Sequence, residues 1–272
     1  MSQMNFFIES IGEVWKDYGI TEKVGHFGDL PRKYKVVEIR TNSVNENVVK
    51  APEFIPLPNA VAKALVRRLA AEFNMKTKEE EERGTRYTAV LQSSEVQKEV
   101  KVGDVVSWGI IVSNDVVGSF RVNTHLLRLA CTNGLIMPAD SKISNVNKTY
   151  NIEQIYNALR DTATTFQNMF EEEVELLKRL KQYNMNREFA EVLAQRFPRP
   201  IVHGLIDVKI ENKAKVVQDF VRTDLYDAYQ TITYNLSHRP MTLRTRLEWG
   251  SEATRLFISE INRQEAQTDA DE

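Results

Sequence analysis

The stretch from Asp104 to Met137 constrains the fold more than any other part of this 272-residue chain. Two runs rich in β-branched and aromatic residues flank a short cluster of turn formers, Asn114-Asp115 and Gly118-Ser119. Alternating runs that meet at so short a turn predict an antiparallel hairpin. The second run also carries polar groups that a strand of the core would not need: Arg121, Asn123, His125 and Arg128.

Segments on the N-terminal side of the hairpin also have strand patterns. Arg86–Gln92 is rich in strand formers, and Glu95–Val102 alternates strictly between polar and apolar residues. With the hairpin they predict three or four consecutive antiparallel strands. Further strands are expected at Tyr34–Thr41 and Asn47–Lys50. The glutamate run within Lys76–Arg86 is interpreted as an exposed linker or the frayed end of a helix.

Apolar residues at helical spacing occur on both sides of this strand region. Two segments before it, Met4–Tyr18 and Ala60–Asn74, place apolar residues three and four apart. After Pro138 the helical period returns, and Asn151 is expected to cap a helix of about eight turns that lies across the sheet. Further helices are predicted at Asn186–Phe197, Asp224–Asn235 and Thr242–Arg263.

These patterns predict an α+β fold, with an antiparallel β-meander and hairpin core packed by a long helix and followed by a helical C-terminal part. We divide the chain into a β-rich core with N-terminal helices (1–150) and a helical part that packs on it (151–263). A disordered acidic tail is expected over residues 264–272. Whether the helical part is a separate domain stays open at this point.

Composition restricts the class of protein and its compartment. The formal net charge is −2, so any binding of phosphate requires a local basic patch. The single cysteine, Cys131, excludes an intramolecular disulfide and fits a reducing compartment. The sequence shows no secretory signal and no apolar run near the roughly 18 residues of a membrane span. We therefore expect a cytoplasmic protein without a membrane segment.

Motifs of the common catalytic classes are missing from the sequence. There is no GxxxxGK[ST] phosphate loop and no GxGxxG, GxSxG or HExxH motif. The four histidines are isolated, and Glu171, Glu172 and Glu173 are expected on the exposed side of a helix. Cys131 and His125 lie about 20 Å apart along an extended strand, too far to share a proton. We expect no enzymatic activity, no cofactor and no metal.

Cationic side chains support the strongest functional hypothesis. Arg121, Asn123 and His125 share one strand face because they are spaced by two, and guanidinium groups fork onto phosphate oxygens. The predicted nucleic-acid-binding residues are Lys98, Lys101, Arg121, His125, Arg128, Arg239, Arg244 and Arg246. The aromatic residues expected to stack on bases are Trp108, Phe120 and Tyr234. The alternative is that these arginines pair with the abundant glutamates and have no further role.

Two sequence patches carry a family resemblance. GIIVSNDVVGSFRVNTHLLRLACTNGLIM looks like the signature of the phage/plasmid-like family of unknown function, whose members have a polar turn and then a strand ending in Arg-x-x-Cys-x-Asn-Gly. The run DAYQTITYNLSHRP, Asp227 to Pro240, resembles a tyrosine-rich helix of the same family. The resemblance spans roughly Val36 to Phe257. No histidine precedes Asp115, so the role of the family's histidine at the turn is not carried over. The second motif is matched by Arg128, Cys131, Asn133 and Gly134.

The order of elements also resembles the core of single-strand annealing recombinases of the eukaryotic recombination-mediator type. Those proteins form rings or filaments and hold single-stranded DNA in a basic groove beside a hairpin, so this resemblance lies at fold level. It implies an ATP-independent protein of a phage or plasmid that binds and anneals single-stranded DNA as a homo-oligomer. The alternatives are a non-catalytic structural or protein-interaction protein of a mobile element, and a nuclease, which would need clustered carboxylates.

Overall fold

The computed structural model describes residues 6–27, 32–40, 44–101, 104–128 and 143–271. Within these ranges the chain forms three antiparallel sheets and seven helices, which confirms the predicted α+β class. None of the helices in the described ranges has a stretch that is both long and apolar enough to span a lipid bilayer.

The first sheet has four strands in chain order: β1 (Phe6–Trp15), β2 (Ile20–Phe27), β3 (Tyr34–Arg40) and β4 (Asn45–Lys50). The helix predicted at Met4–Tyr18 is therefore wrong, because most of that segment is β1. Two register shifts interrupt its pairing with β2, between Ile8 and Ser10 and between Gly12 and Trp15. An extra residue at a bulge changes an apolar spacing of two into three, which imitates the period of a helix.

The second sheet has five strands, again in chain order: β5 (Met75–Arg83), β6 (Arg86–Lys101), β7 (Asp104–Asp115), β8 (Phe120–Arg128) and β9 (Ile143–Val146). The predicted hairpin is confirmed, since β7 and β8 pair from Val106–Arg128 to Asn114–Phe120. The sequence predicted two strands where β6 is one. Its pairing with β7 is interrupted between Gln92 and Gln97.

The glutamate-rich segment is not a linker. It forms β5, an edge strand in which Glu79 to Glu82 pair with Tyr87 to Val90 of β6. An edge strand tolerates charged side chains because one of its sides has no neighbouring strand, and charges there discourage pairing with another chain. Because this strand contains few apolar residues, the sequence lacks the apolar alternation that would have predicted it.

Seven helices and a hairpin complete the described structure. The first helix precedes the second sheet, and the others follow it. Asn151 caps the second helix as predicted, because its Oδ1 accepts from the backbone N–H groups of Glu153 and Gln154 at 3.0 and 3.2 Å. The helices are α1 (Asn59–Glu72), α2 (Ile152–Asn168), α3 (Phe170–Leu180), α4 (Arg187–Arg196), α5 (Arg199–Val202), α6 (Leu225–Ser237) and α7 (Leu243–Asp271). Between α5 and α6 lie β10 (Ile206–Glu211) and β11 (Ala214–Phe220).

Three features of the helical part differ from the sequence prediction. The expected helix of eight turns is divided at Met169 into α2 and α3, and Glu173 is 2% exposed, with its Oε2 accepting from the Thr124 hydroxyl at 3.3 Å. The tail expected to be disordered instead continues α7 to Asp271. Glu265 within it accepts from Arg179 at 2.6 Å.

A single apolar cluster connects the sheets with the helices. It extends from Trp15 in the first sheet through Trp108 at the centre of the second to Ile261 in α7. The helical part and the β-rich part are thus held by shared burial of apolar side chains, which supplies most of the stability of such a fold.

Gly109 allows a close approach between neighbouring strands of the second sheet. It pairs with His125, and a Cβ at position 109 would lie 2.3 Å from His125 Nε2 and 2.5 Å from the Leu91 oxygen. We expect Gly109→Ala to lower the free energy of unfolding by about 3 kcal/mol or more in urea titrations.

Gly204→Ala is the control for this substitution. A Cβ there meets nothing within 4 Å, and the left-handed φ of +81° alone should cost about 1 kcal/mol. A loss for Gly109→Ala no larger than the control's would contradict the packing around His125.

Candidate nucleic-acid interface

A small apolar contact places α7 against the second sheet. Val90 of β6 and Ile111 of β7 are cross-strand partners, and they bury Leu243 of α7, with Leu247 packed beside it. Residues two positions apart on a strand share a face. The next row of partners on this face is therefore polar and lies beside the contact: Thr88, Ser113 and Arg121.

A groove of about 770 Å³ lies between this face of the sheet and α7. Its lining contains one more cation than carboxylate. The cations are Arg86, Arg121, Arg244 and Arg255, and the carboxylates are Asp115, Glu248 and Glu252. Hydroxyl groups of Thr88, Ser113, Ser119 and Ser251 add further hydrogen-bonding capacity.

Most of the arginines in the groove are paired with a carboxylate of the groove. Arg86 Nε donates to Asp115 at 3.2 Å, and Arg244 Nε donates to Glu248 at 2.7 Å. Arg255 Nη2 donates to Glu252 at 2.8 Å. Exposed pairs of this kind contribute only about 0–1 kcal/mol each, so another anion can replace the carboxylate at little cost.

Arg121 differs from the other arginines of the groove. Its side chain is exposed, and it makes no hydrogen bond or ion pair with any residue of the described ranges. It is therefore the source of the surplus positive charge, and its guanidinium is available to an anion from outside the chain.

Of the predicted binding residues whose side chains the structure describes, two lie together in the groove, Arg121 and Arg244. Lys98 pairs instead with Glu171 of α3, and Lys101 pairs with Asp227 of α6 at 2.8 Å. These two lysines lie toward the other end of β6 and do not line the groove.

The remaining predicted cations are also separate from the groove. Arg246 pairs with Glu79 of β5, and Arg239 donates to the Pro200 carbonyl at 3.4 Å. The side chain of Arg128 lies outside the described part of the structure, as do Cys131 and the Asn133-Gly134 turn. Arg244 and Arg246 each pair with a glutamate, as the alternative expected of the arginines, and the two lysines also pair with acidic residues.

His125 cannot line the groove, which corrects the prediction. It is 0% exposed, and its Nε2 lies 3.0 Å from the Leu91 carbonyl oxygen. Burial lowers the pKa of His125 to about 4, so the ring is neutral and contributes no positive charge. The spacing of two residues along the strand predicted that His125 lies beside Arg121. Instead, the imidazole is buried, because Gly109 on the adjacent strand has no side chain and leaves space for the ring.

Two of the aromatic residues expected to stack on bases are unable to do so. Trp108 and Phe120 are 0% exposed and belong to the core. Tyr234 is 47% exposed, but its ring stacks on His238 at a centroid distance of 4.0 Å, and it does not line the groove. No aromatic residue lines the groove within the described structure.

Two groove arginines, Arg86 and Arg255, were missed at the level of sequence. Arg86 is the cross-strand partner of Asp115, which only the pairing of β6 with β7 reveals. Arg255 had a detectable signal, because Arg244, Glu248 and Ser251 precede it at helical spacing and mark one face of α7. The spacing does not indicate which strand or helix this face of α7 lies against.

Comparison with known proteins found no match, so the function of this site is inferred from its geometry. No protein-family model, no curated protein and no solved structure matches the chain. Among the described residues, no group of three or more His, Cys, Asp or Glu side chains is arranged to hold a metal ion. The chemistry that the groove offers is the binding of an anion by guanidinium and hydroxyl groups.

The burial of His125 predicts sensitivity to acid. Its pKa of about 4 lies below the ordinary 6.5, so between these values the unfolded chain binds a proton that the folded chain does not. The stability contributed by the neutral ring is present above pH 6.5 and is lost as the pH falls toward 4. The free energy of unfolding should fall between pH 7 and pH 4. We expect His125→Gln to reduce this fall by up to about 3 kcal/mol.

Urea titrations of wild type and variant between pH 4 and 7 measure this difference. Titrating carboxylates are common to both chains, so their contribution cancels in the comparison. Parallel stability curves for the two proteins would show that His125 is not a buried neutral group.

Proposed function

We propose that this protein binds the phosphate backbone of single-stranded DNA in the groove between β6–β8 and α7. As a product of a phage or plasmid, it would act in the host cytoplasm and anneal complementary strands without ATP. The observation that carries the proposal is Arg121, an exposed guanidinium without a partner among the described residues, in a groove lined by three further arginines.

The energetics of the paired arginines favour exchange with phosphate. A guanidinium forms two parallel hydrogen bonds to a phosphate as readily as to a carboxylate. Since each exposed pair contributes about 0–1 kcal/mol, a strand that displaces Asp115 or Glu248 loses little protein stability. A local excess of cations in a groove also explains how a chain of net charge −2 would bind a polyanion.

The lining of the groove determines which part of the strand it would recognise. A volume of about 770 Å³ accommodates a short stretch of a strand. Without an aromatic side chain in the described lining, stacking on bases contributes little, and phosphate contacts dominate. We therefore propose binding with little sequence preference and without chemical conversion of the strand.

Fluorescence anisotropy with a labelled oligonucleotide across a salt series tests the proposal. We expect affinity to fall steeply with salt, because phosphate binding releases counterions. Arg121→Gln should weaken binding several-fold and reduce the slope of log affinity against log salt by about 0.7, the contribution of one phosphate on a single strand.

Arg67→Gln is the matched control. Arg67 is another exposed arginine, but it lies on α1 and does not line the groove. Its replacement removes the same net charge and should leave the salt slope unchanged. Absence of binding at low salt, or equal effects of the two substitutions, would overturn the proposal.

Annealing adds a requirement for self-association. One groove holds one strand, so two strands are brought together most simply by two copies of the chain, and we propose a homo-oligomer in the form of a ring or filament. Light scattering should give a mass several times the 31.3 kDa of the chain. A monomer that also fails to bind DNA would favour the alternative, a structural or protein-interaction protein of a mobile element.

A further inference from the structure

A second groove, of about 750 Å³, lies between α4, β11 and α7. Its apolar lining comes from Val192, Val216, Val217 and Leu256. Arg255 lines both this groove and the first one, so the two grooves meet on the flank of α7. The second groove was not anticipated from the sequence, because α4 and β11 carry no motif.

Glu252 of the first groove lies beside Arg255, the residue at which the two grooves meet. Its carboxylate accepts from Arg255 on the same helix, at 2.8 and 3.1 Å, and from Arg196 of α4. The hydrogen bond from Arg255 holds the pKa of the Glu252 carboxyl below its ordinary value, so the group is charged at neutral pH. Two guanidinium groups, one from α4 and one from α7, therefore converge on one carboxylate.

The second groove contains another cation without a carboxylate partner. Lys215 Nζ donates to the backbone oxygens of Phe197 and Gln195, at 2.8 and 3.4 Å, and forms no ion pair within the described structure. Of the other cations in its lining, Arg187 is paired with Glu191 at 3.2 Å, and Arg196 and Arg255 both pair with Glu252.

Cationic groups thus recur three times along one side of α7. They are Arg121 in the first groove, the pair Arg196 and Arg255 around Glu252, and Lys215 in the second groove. The part of α7 from Arg244 to Arg255 alone rises by roughly 16 Å. This arrangement matches the repeated charge of a phosphodiester backbone better than it matches a single small anion.

We infer that the two grooves form one continuous track for a single strand, in which Glu252 stands in for a strand phosphate. The bound strand displaces the Glu252 carboxylate and places a phosphate between Arg196 and Arg255. This inference rests on the proposed function and deepens it, because it defines the path of the strand and a carboxylate that competes with it.

Glu252→Gln in the 272-residue chain separates competition from a purely structural role. Glutamine keeps the shape of the side chain and one acceptor oxygen but removes the charge that opposes a phosphate. We expect an oligonucleotide of about 16 nucleotides, long enough to span both grooves, to bind roughly two- to fivefold more tightly. If Glu252 only tied α4 to α7, binding would weaken or stay the same.

Glu175→Gln is the matched control for this variant. Glu175 is also a helical carboxylate paired three residues along the chain, with Lys178 at 2.7 Å, but it lies on α3 and lines neither groove. It removes the same negative charge from the protein and should leave affinity unchanged. An equal gain in both variants would reveal a general charge effect and overturn the inference.

Lys215→Gln tests the path of the strand independently of Glu252. It also keeps the inference testable if Glu252→Gln does not fold. Glutamine can still donate to the Phe197 carbonyl but carries no charge. For the long oligonucleotide we expect the salt slope to fall by about 0.7, and for one of about 4 nucleotides bound near Arg121 we expect no change. Titration should give one long strand per chain.

The outcomes distinguish the two proposals. If Arg121→Gln weakens binding but Lys215→Gln and Glu252→Gln have no effect, the strand occupies the first groove alone, and the continuous track is wrong. Two long strands per chain would likewise mean two separate sites. If the wild-type protein binds no oligonucleotide at low salt, the proposed function fails and the track fails with it.

Discussion

Apolar packing determines where α7 lies, and both grooves depend on it. Near the start of the helix, Leu243 packs against Val90 and Ile111. Burial of an aliphatic side chain of this size contributes about 1.5–3 kcal/mol, whereas an exposed ion pair contributes about 0–1 kcal/mol. Further along, Ala253, Phe257 and Ile261 of α7 are buried in the main core. Apolar contacts therefore hold the helix in place, and its charged side chains are free to exchange partners.

This division of roles explains how a weakly acidic chain can present a basic surface. Acidic residues neutralise many of its cations, such as Lys101 through Asp227, and an anion from outside would gain little there. Positive charge remains available where a cation has no carboxylate partner in the described structure, as at Arg121, and two guanidinium groups converge on one carboxylate at Glu252. What matters for binding is thus the arrangement of unpaired charge, which the net charge of the chain does not reveal.

Local patterns predicted much of the fold. The hairpin of β7 and β8, the helix α1 and the Asn151 cap were all correct, since each depends on residues close together in the chain. The errors have equally local causes. Bulges gave β1 a helical spacing, and the edge position of β5 allowed a run of glutamates that no apolar alternation marks.

The candidate site was predictable only in part. Sequence by itself determined that Arg121 lies on the polar face of a strand and that Arg244 and Arg255 share a face of a helix, because these follow from the periods of two and 3.6 residues. Only the tertiary structure decided that the two faces meet, that His125 is buried over Gly109, and which cations keep a surplus charge. Ion pairing joins residues far apart in the chain, as Arg246 and Glu79 are, and its outcome depends on distances that no local pattern contains.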